Sequence, residues 1–215
     1  MSTVKRDVFI ETFDKNKTYS GVKKFSCGNG VIDQYAHDNL KKDGQRDNKI
    51  VGLLVEDLPI ANKPGSVEHQ LMGFYTMQNF SFPVDTNARE VLKQPGFYGY
   101  SLPKVVSTLK IFMIGIDKKY QKQPAHWGSM LLKAALIKAL EIAAVSTDIK
   151  AIVLDANPAA VEFYRKHRFV VLQDQPDEGG TIPMVLPIHQ LKAAYMRALQ
   201  SEQETSTALS DNAQE

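Results

Sequence analysis

The sequence predicts an α/β (α+β) fold, a single mixed, twisted sheet with flanking helices. Three observations predict it. Residues 109–116 are a continuous apolar run of strand length, and the segment that starts at Trp127 repeats Met130, Leu131, Ala134, Leu136, Ile137, Leu140 and Val145 at helical spacing. A second apolar run follows at 149–156, so strand, helix and strand read as a parallel pair joined by a right-handed crossover. Shorter runs before and after this unit are separated by turn residues and read as antiparallel hairpins.

In chain order, 7–13 alternate well enough for a first strand, and 15–29 form a loop punctuated by Gly21 and Gly28. Val31, Ile32, Tyr35, Ala36 and Leu40 suit an amphipathic helix from Asn29 or Gly30 to about Lys42, with Asn29 as its cap and Gly44 as its end. Strands at 49–57 and 70–82 flank a long loop containing two prolines, and Gly73 inside the second strand marks a bulge or a close backbone approach. A short helix at 87–93 precedes a stretch broken by Pro95, Gly96, Gly99 and Pro103. After the crossover unit come a short helix at 157–167, a strand at 168–173, the turn 176–180, a strand at 181–187 and a last helix at 188–199. No linker divides residues 1–200, which read as one domain.

Composition is that of an ordinary globular chain, with 43% hydrophobic and 23% charged residues. There is no signal peptide pattern and no apolar stretch of membrane-spanning length, and the single Cys27 excludes an internal disulfide, so a cytoplasmic setting without membrane partners is expected. Five scattered histidines have no metal-ligand spacing, and no metal is expected. Residues 201–215 contain four acids and no base and read as a disordered acidic tail, which leaves residues 1–200 with a net charge of +6 (26 basic against 20 acidic). A body of that sign favours polyanionic partners.

The turn between 109–116 and the long helix is rich in Lys and Gln and ends at Gly128. A helix start presents unpaired N–H groups and the positive end of the helix dipole, so such a turn can seat a phosphate or pyrophosphate; a plain crossover is the alternative.

Further residues narrow the choice. Asp155-Ala156-Asn157, Ala160, Phe163-Tyr164 and Phe169 resemble the C-terminal half of the GNAT N-acetyltransferase family, with its strand, Asn, Ala, Phe-Tyr and Gly-Phe. Phe25-Ser26-Cys27-Gly28-Asn29 and Ile32-Asp33-Gln34-Tyr35 resemble the branch that includes the acetyltransferase toxins of bacterial toxin-antitoxin modules. The resemblance covers about residues 7–187 and implies a GNAT-like sheet with splayed central parallel strands. It implies an N-acetyltransferase that moves an acetyl group from acetyl-coenzyme A to a primary amine. For the toxin branch that amine belongs to an aminoacyl-tRNA, and the partner is a ribbon-helix-helix antitoxin; a homodimer is also allowed. A small amine or a protein amine as acceptor, or a catalytically degenerate binding protein, are the alternative readings.

By the same resemblance, Tyr164 protonates the leaving thiolate. Backbone N–H groups at Ile114, Gly115 and Ile116 hold the acetyl carbonyl and the pantetheine arm. Lys122, Gln123, His126, Trp127, Gly128 and Ser129 hold the pyrophosphate, and Asn157 bonds the pantetheine or caps the next helix. Lys41, Lys42 and Arg46 are candidate tRNA phosphate contacts. The family motif is Gln or Arg, two residues, Gly, one residue, Gly or Ala. Gln123-Pro124-Ala125-His126-Trp127-Gly128 keeps its ends but has His126 in place of the first Gly, whereas aligning Tyr120-Gln121 with the family's Tyr-Gln demands a two-residue insertion; Arg168 stands where Gly precedes Phe. A side chain at 126 crowds the pyrophosphate, and Pro124 removes a donor, so either the loop binds with altered geometry or the site is degenerate.

Overall fold

The structure is a computed structural model and describes residues 7–60, 63, 65–93, 102–146 and 148–211. Pro95, Gly96 and Gly99, expected to break the chain, lie outside these residues. The strands are β1 (Asp7–Thr12), β2 (Tyr19–Ser20), β3 (Ile50–Pro59), β4 (Val67–Pro83), β5 (Val105–Ile116), β6 (Ala151–Ala156), β7 (Val170–Val171) and β8 (Ile182–Pro187). The helices are α1 (Gly30–Tyr35), α2 (Lys41–Gln45), α3 (Thr86–Leu92), α4 (Trp127–Val145), α5 (Val161–Lys166) and α6 (Ile188–Asp211). The strands make one mixed sheet in the order β1-β3-β4-β5-β6-β8-β7, with β2 parallel to β4, as the expected α/β fold requires.

Four expectations are corrected. The helix from Asn29 is three pieces, because residues Ala36–Leu40 widen into a π-helical turn between α1 and α2, and Gly44 lies inside α2 instead of ending it. The expected loop at 15–29 contains the strand β2, too short to show a period. β7 is two residues long, because the turn of chain before it belongs to the end of α5. The last helix runs to Asp211, past the expected end at Leu199, through a part of the acidic segment that has no Gly or Pro to stop it.

The chain divides into two compact units, Met1–Asn79 with Lys110–Lys138, and Phe80–Leu109 with Ala139–Glu215. The division falls inside β4, β5 and α4, so no linker marks it. In the first unit, Val51, Leu53 and Val55 alternate onto one face of β3, where they join Leu71 and Phe74 of β4. Phe25, Tyr35, Ala36 and Leu40 complete this core. Phe74 sits at its centre, edge-on to Phe25 at 5.1 Å and stacked on Tyr35 at 6.0 Å. The β3–β4 register slips between Leu54 and Val55, opposite Gly73 and Leu71. This bulge is the one Gly73 suggested: a Cβ on Gly73 would stand 2.8 Å from the Gly115 carbonyl oxygen.

In the second unit, α3 is capped by Asp85, whose carboxylate accepts the Ala88 N–H at 2.7 Å, and Ala88 and Leu92 are buried with Ala151, Val153 and Val185. β6 and β8 pair antiparallel from Ala151↔Pro187 to Ala156↔Ile182, and β8 pairs again with β7. The first part of β5 lies against the start of β6, where the Lys150 N–H donates to Ser107 at 2.9 Å.

Phe74→Ala is expected to destabilise the chain by about 3–5 kcal/mol, the range for deleting a buried aromatic ring, because the ring is fully enclosed. Chemical denaturation measures it; a loss below about 1 kcal/mol would mean the cluster can collapse into the space.

Candidate active site

In the first unit the site begins where β5 ends. Ile116 and Asp117 are buried. The Asp117 carboxylate accepts N–H bonds from Ser26 at 3.1 Å and from Lys119 at 3.0 Å, and its own N–H donates to the Met72 carbonyl at 2.8 Å. The Lys118 N–H returns a bond to the Ser26 carbonyl at 2.8 Å. Asp33 holds the next peptide, accepting from the Cys27 N–H at 2.6 Å and the Ser26 hydroxyl at 3.0 Å. Burial opposes ionisation of Asp33, but these hydrogen bonds outweigh it and hold the carboxyl below its usual range. Asp117 therefore locks the segment 25–29 to the end of β5, and Asp33 braces the same segment from α1. Cys27 sits in this lock as a packing residue: a Cβ on Gly115 would be 3.3 Å from its sulfur, and burial pushes its thiol up to about 11, away from nucleophilic use.

Gln121 ties the following loop down. Its side-chain amide donates to the carbonyls of Ile116 and Cys27, each at 2.8 Å. Gln123 then braces the start of α4, donating to the Lys119 carbonyl at 3.0 Å and accepting from the Trp127 indole N–H at 3.1 Å. His126 precedes α4, and its carbonyl accepts from Ser129 at 2.9 Å and Met130 at 3.2 Å. The N–H groups of Trp127 and Gly128 fall in the first turn, where a helix has no internal acceptors.

The left-handed positions of this turn are not glycines. Lys122 has φ +57° and His126 has φ +50°, whereas Gly128, the expected end of the turn, lies inside the helix. His126, where the resemblance expects a glycine, has a backbone that glycine adopts freely, at a cost of about 1–2 kcal/mol for a residue with a Cβ. Histidine is among the non-glycine residues enriched there.

The second unit repeats the pattern. Asn157 follows β6, and its side chain accepts the Ala159 N–H at 3.0 Å, so it caps the next turn, one of the two roles expected. At the end of α5 the Phe169 N–H donates to the Tyr164 carbonyl at 3.2 Å and the Arg168 N–H to the Arg165 carbonyl at 2.9 Å. This is a Schellman termination, with Arg168 at φ +70° in the position glycine usually fills and the Tyr164 and Phe169 rings 5.8 Å apart. Tyr164 is 8% exposed, and desolvation raises its phenol to about 12, so it keeps its proton at neutral pH.

The first unit thus gathers Ile114, Gly115, Ile116, Lys122, Gln123, His126, Trp127, Gly128 and Ser129 on one strand–turn–helix. Lys41 and Lys42 are exposed on α2 and Arg46 follows it. Sequence reading missed Asp33, Asp117 and Gln121 as the groups that fix the turn. The signal was weak: an Asp directly after an apolar strand, able to cap the turn Lys118–Tyr120. Among the described residues no cluster of His, Cys, Asp or Glu could hold a metal ion, and no helix is long and apolar enough to cross a membrane.

No protein-family model matches the sequence, and no curated protein does. Solved structures do match. A bacterial toxin is 29% identical with a TM-score of 0.70, over 88% of this chain and 96% of that one. The toxin AtaT complexed with acetyl-methionyl-tRNAfMet is 19% identical with a TM-score of 0.67, over 88% and 99%. The chain has the fold of these toxins. A tyrosine-to-phenylalanine mutant of AtaT, bound to the C-terminus of the antitoxin AtaR and to acetyl-CoA, matches at 17% identity and a TM-score of 0.64, over 88% and 98%. The GNAT-like toxin fold expected from the sequence is the fold observed.

Arg168→Gly is expected to stabilise the protein by about 1 kcal/mol, by releasing a side chain from the left-handed region. Thermal denaturation should rise by roughly 2–4 °C for a chain of this size. An unchanged or lower midpoint would show that contacts of the arginine side chain outweigh the strain.

Proposed function

We propose that this chain is an acetyltransferase toxin that transfers the acetyl group of acetyl-CoA to the amino group of an aminoacyl-tRNA and is held in check by an antitoxin of the ribbon-helix-helix kind. The observation that carries the reading is the start of α4, where His126, at the position the resemblance gives to glycine, has a left-handed backbone immediately before a long helix. Support for acceptor and partner comes from the fold it shares with AtaT, which has been seen with acetyl-methionyl-tRNA and with the antitoxin AtaR.

The residues present fit the donor. Helix-start N–H groups of Trp127 and Gly128, with Lys122 and His126 beside them, suit a pyrophosphate. Peptide N–H groups of Ile114, Gly115 and Ile116 are assigned to the acyl carbonyl, where they stabilise developing negative charge. When bound, acetyl-CoA supplies a thioester-activated acetyl group. The acceptor amine forms the C–N bond as the C–S bond breaks and loses its proton to solvent; Tyr164 gives its phenolic proton to the departing sulfur and recovers one from water. An α-amino group has a pKa of about 7.7–8.0 against about 10.4 for lysine, so roughly a tenth of it is already neutral at pH 7. An aminoacyl group is therefore the acceptor that asks least of this site.

Purified protein with acetyl-CoA and methionyl-tRNA is expected to yield acetyl-methionyl-tRNA, and Tyr164→Phe to lower turnover about 10²–10⁴-fold with little change in cofactor affinity. Equal turnover by the variant, with chemistry rate-limiting, would reduce Tyr164 to a packing residue. Faster transfer to free lysine or a small amine than to the tRNA would overturn the acceptor.

A further inference from the structure

The start of α4 carries a side chain that the chemistry above does not use. Trp127 is the sole tryptophan of the chain and the first residue of α4, and residues 121–126 before it are all exposed. Side chains of a helix lean toward its N-terminus, so the indole of a first residue lies back over the preceding turn. Its partner shows this: the indole N–H donates to the Gln123 side-chain oxygen at 3.1 Å, and the amide nitrogen of Gln123 donates in turn to the Lys119 carbonyl at 3.0 Å. The second bond fixes which way the amide faces, so the ring is held in a set place by the turn itself. Trp127 is half-buried, and among the described residues no other ring packs against it and no cation lies over it. Its one polar group is already bonded, so what the ring has left to offer is its aromatic face.

We infer that the Trp127 ring stacks on the adenine of the donor and makes the turn select a coenzyme A thioester over a bare pantetheine thioester, an inference that rests on the acetyl-CoA reading above. Coenzyme A carries three parts in a row: the pantetheine arm, the pyrophosphate and an adenosine with a 3′-phosphate. With the arm assigned to the end of β5 and the pyrophosphate to the first turn of α4, the adenosine is left to the exposed side of the turn, where the indole lies. The acetyl thioester is the same in both donors, so the selection comes wholly from the nucleotide end. A base stacks on tryptophan through its π-face, with no call on hydrogen-bonding edges, which suits a ring whose N–H is spent. Lys118, Lys119 and Lys122 are exposed on the same turn, and their charge suits the phosphates on either side of that adenosine. Lysines alone would draw any polyphosphate and give no preference for a purine. Gln123 acts through the indole and is a positioning residue.

The sole tryptophan makes the ring its own reporter. Full-length protein is titrated with adenosine 3′,5′-bisphosphate and separately with inorganic pyrophosphate. Trp127 emission is followed on excitation at the red edge of its absorption, where adenine does not absorb, and affinities are measured by calorimetry. The bisphosphate is expected to quench the emission saturably, and pyrophosphate to bind without quenching. Trp127→Leu should weaken the bisphosphate and acetyl-CoA about tenfold, within the range for one base stacked on an aromatic ring, and leave pyrophosphate affinity unchanged. The preference for acetyl-CoA over S-acetylpantetheine should fall by the same factor. Loss of pyrophosphate affinity as well would mark a structural tryptophan and overturn the inference. Equal quenching by pyrophosphate, or acetyl-CoA bound by the variant as tightly as by the wild type, overturns it too and leaves the donor reading standing. Should the variant not fold, the wild-type emission decides alone, and no quenching at saturating bisphosphate overturns the inference. If the bisphosphate quenches and acetyl-CoA does not bind, the ring stacks on a purine nucleotide and the donor reading fails.

Discussion

The candidate site depends on how the end of β5 is held. Asp117 is buried there with its carboxylate shared between two peptide N–H groups and its own N–H donated to Met72, so its buried polar atoms are met by hydrogen bonds. Asp33 and Gln121 extend the same lock to the loop at 25–29 and to the strand's last carbonyl. Removing any of these groups leaves peptide donors or acceptors without partners, which is why a turn full of Lys and Gln can keep one conformation. From that fixed point the chain makes two left-handed steps, at Lys122 and His126, and delivers the start of α4 with its N–H groups in a defined place.

Much of this was legible in the sequence because the signals are periodic. The apolar run that becomes β5, the repeat that becomes α4 and the alternation of Val51, Leu53 and Val55 follow from burial on one face. Gly73 was readable as a close approach because a strand interior rarely tolerates glycine without cause, and the carbonyl of Gly115 is that cause. What stayed illegible is non-periodic. β2 is too short for a pattern, the π-helical turn leaves no compositional mark, and the bond from Ser26 to Asp117 joins positions far apart in the chain. The two-unit division was invisible for a simpler reason: it runs through strands and a helix, where no loop composition changes.

The two departures from the pattern that the sequence resembles have one physical meaning. His126 and Arg168 look like damage when read as letters, since each stands where that resemblance expects a glycine. As backbone they are not, because both keep φ in the left-handed region, at +50° and +70°. At Arg168 the reason is visible, since the Schellman bonds and the contact between the Tyr164 and Phe169 rings over-determine the conformation. At His126 the carbonyl bonds to Ser129 and Met130 and the Gln123 brace act in the same way. Strain of this kind persists where surrounding structure pays for it, and such positions cluster at functional sites.

The proposed function turns on whether the turn before α4 binds acetyl-CoA with His126 at its left-handed position. Calorimetry of acetyl-CoA against the wild-type protein and His126→Gly measures it directly. The account predicts saturable binding by the wild type, with the variant binding at least as tightly because it keeps the conformation and loses only a side chain. No heat of binding from the wild type at millimolar acetyl-CoA would contradict it and leave the chain a toxin-like fold without a working donor site.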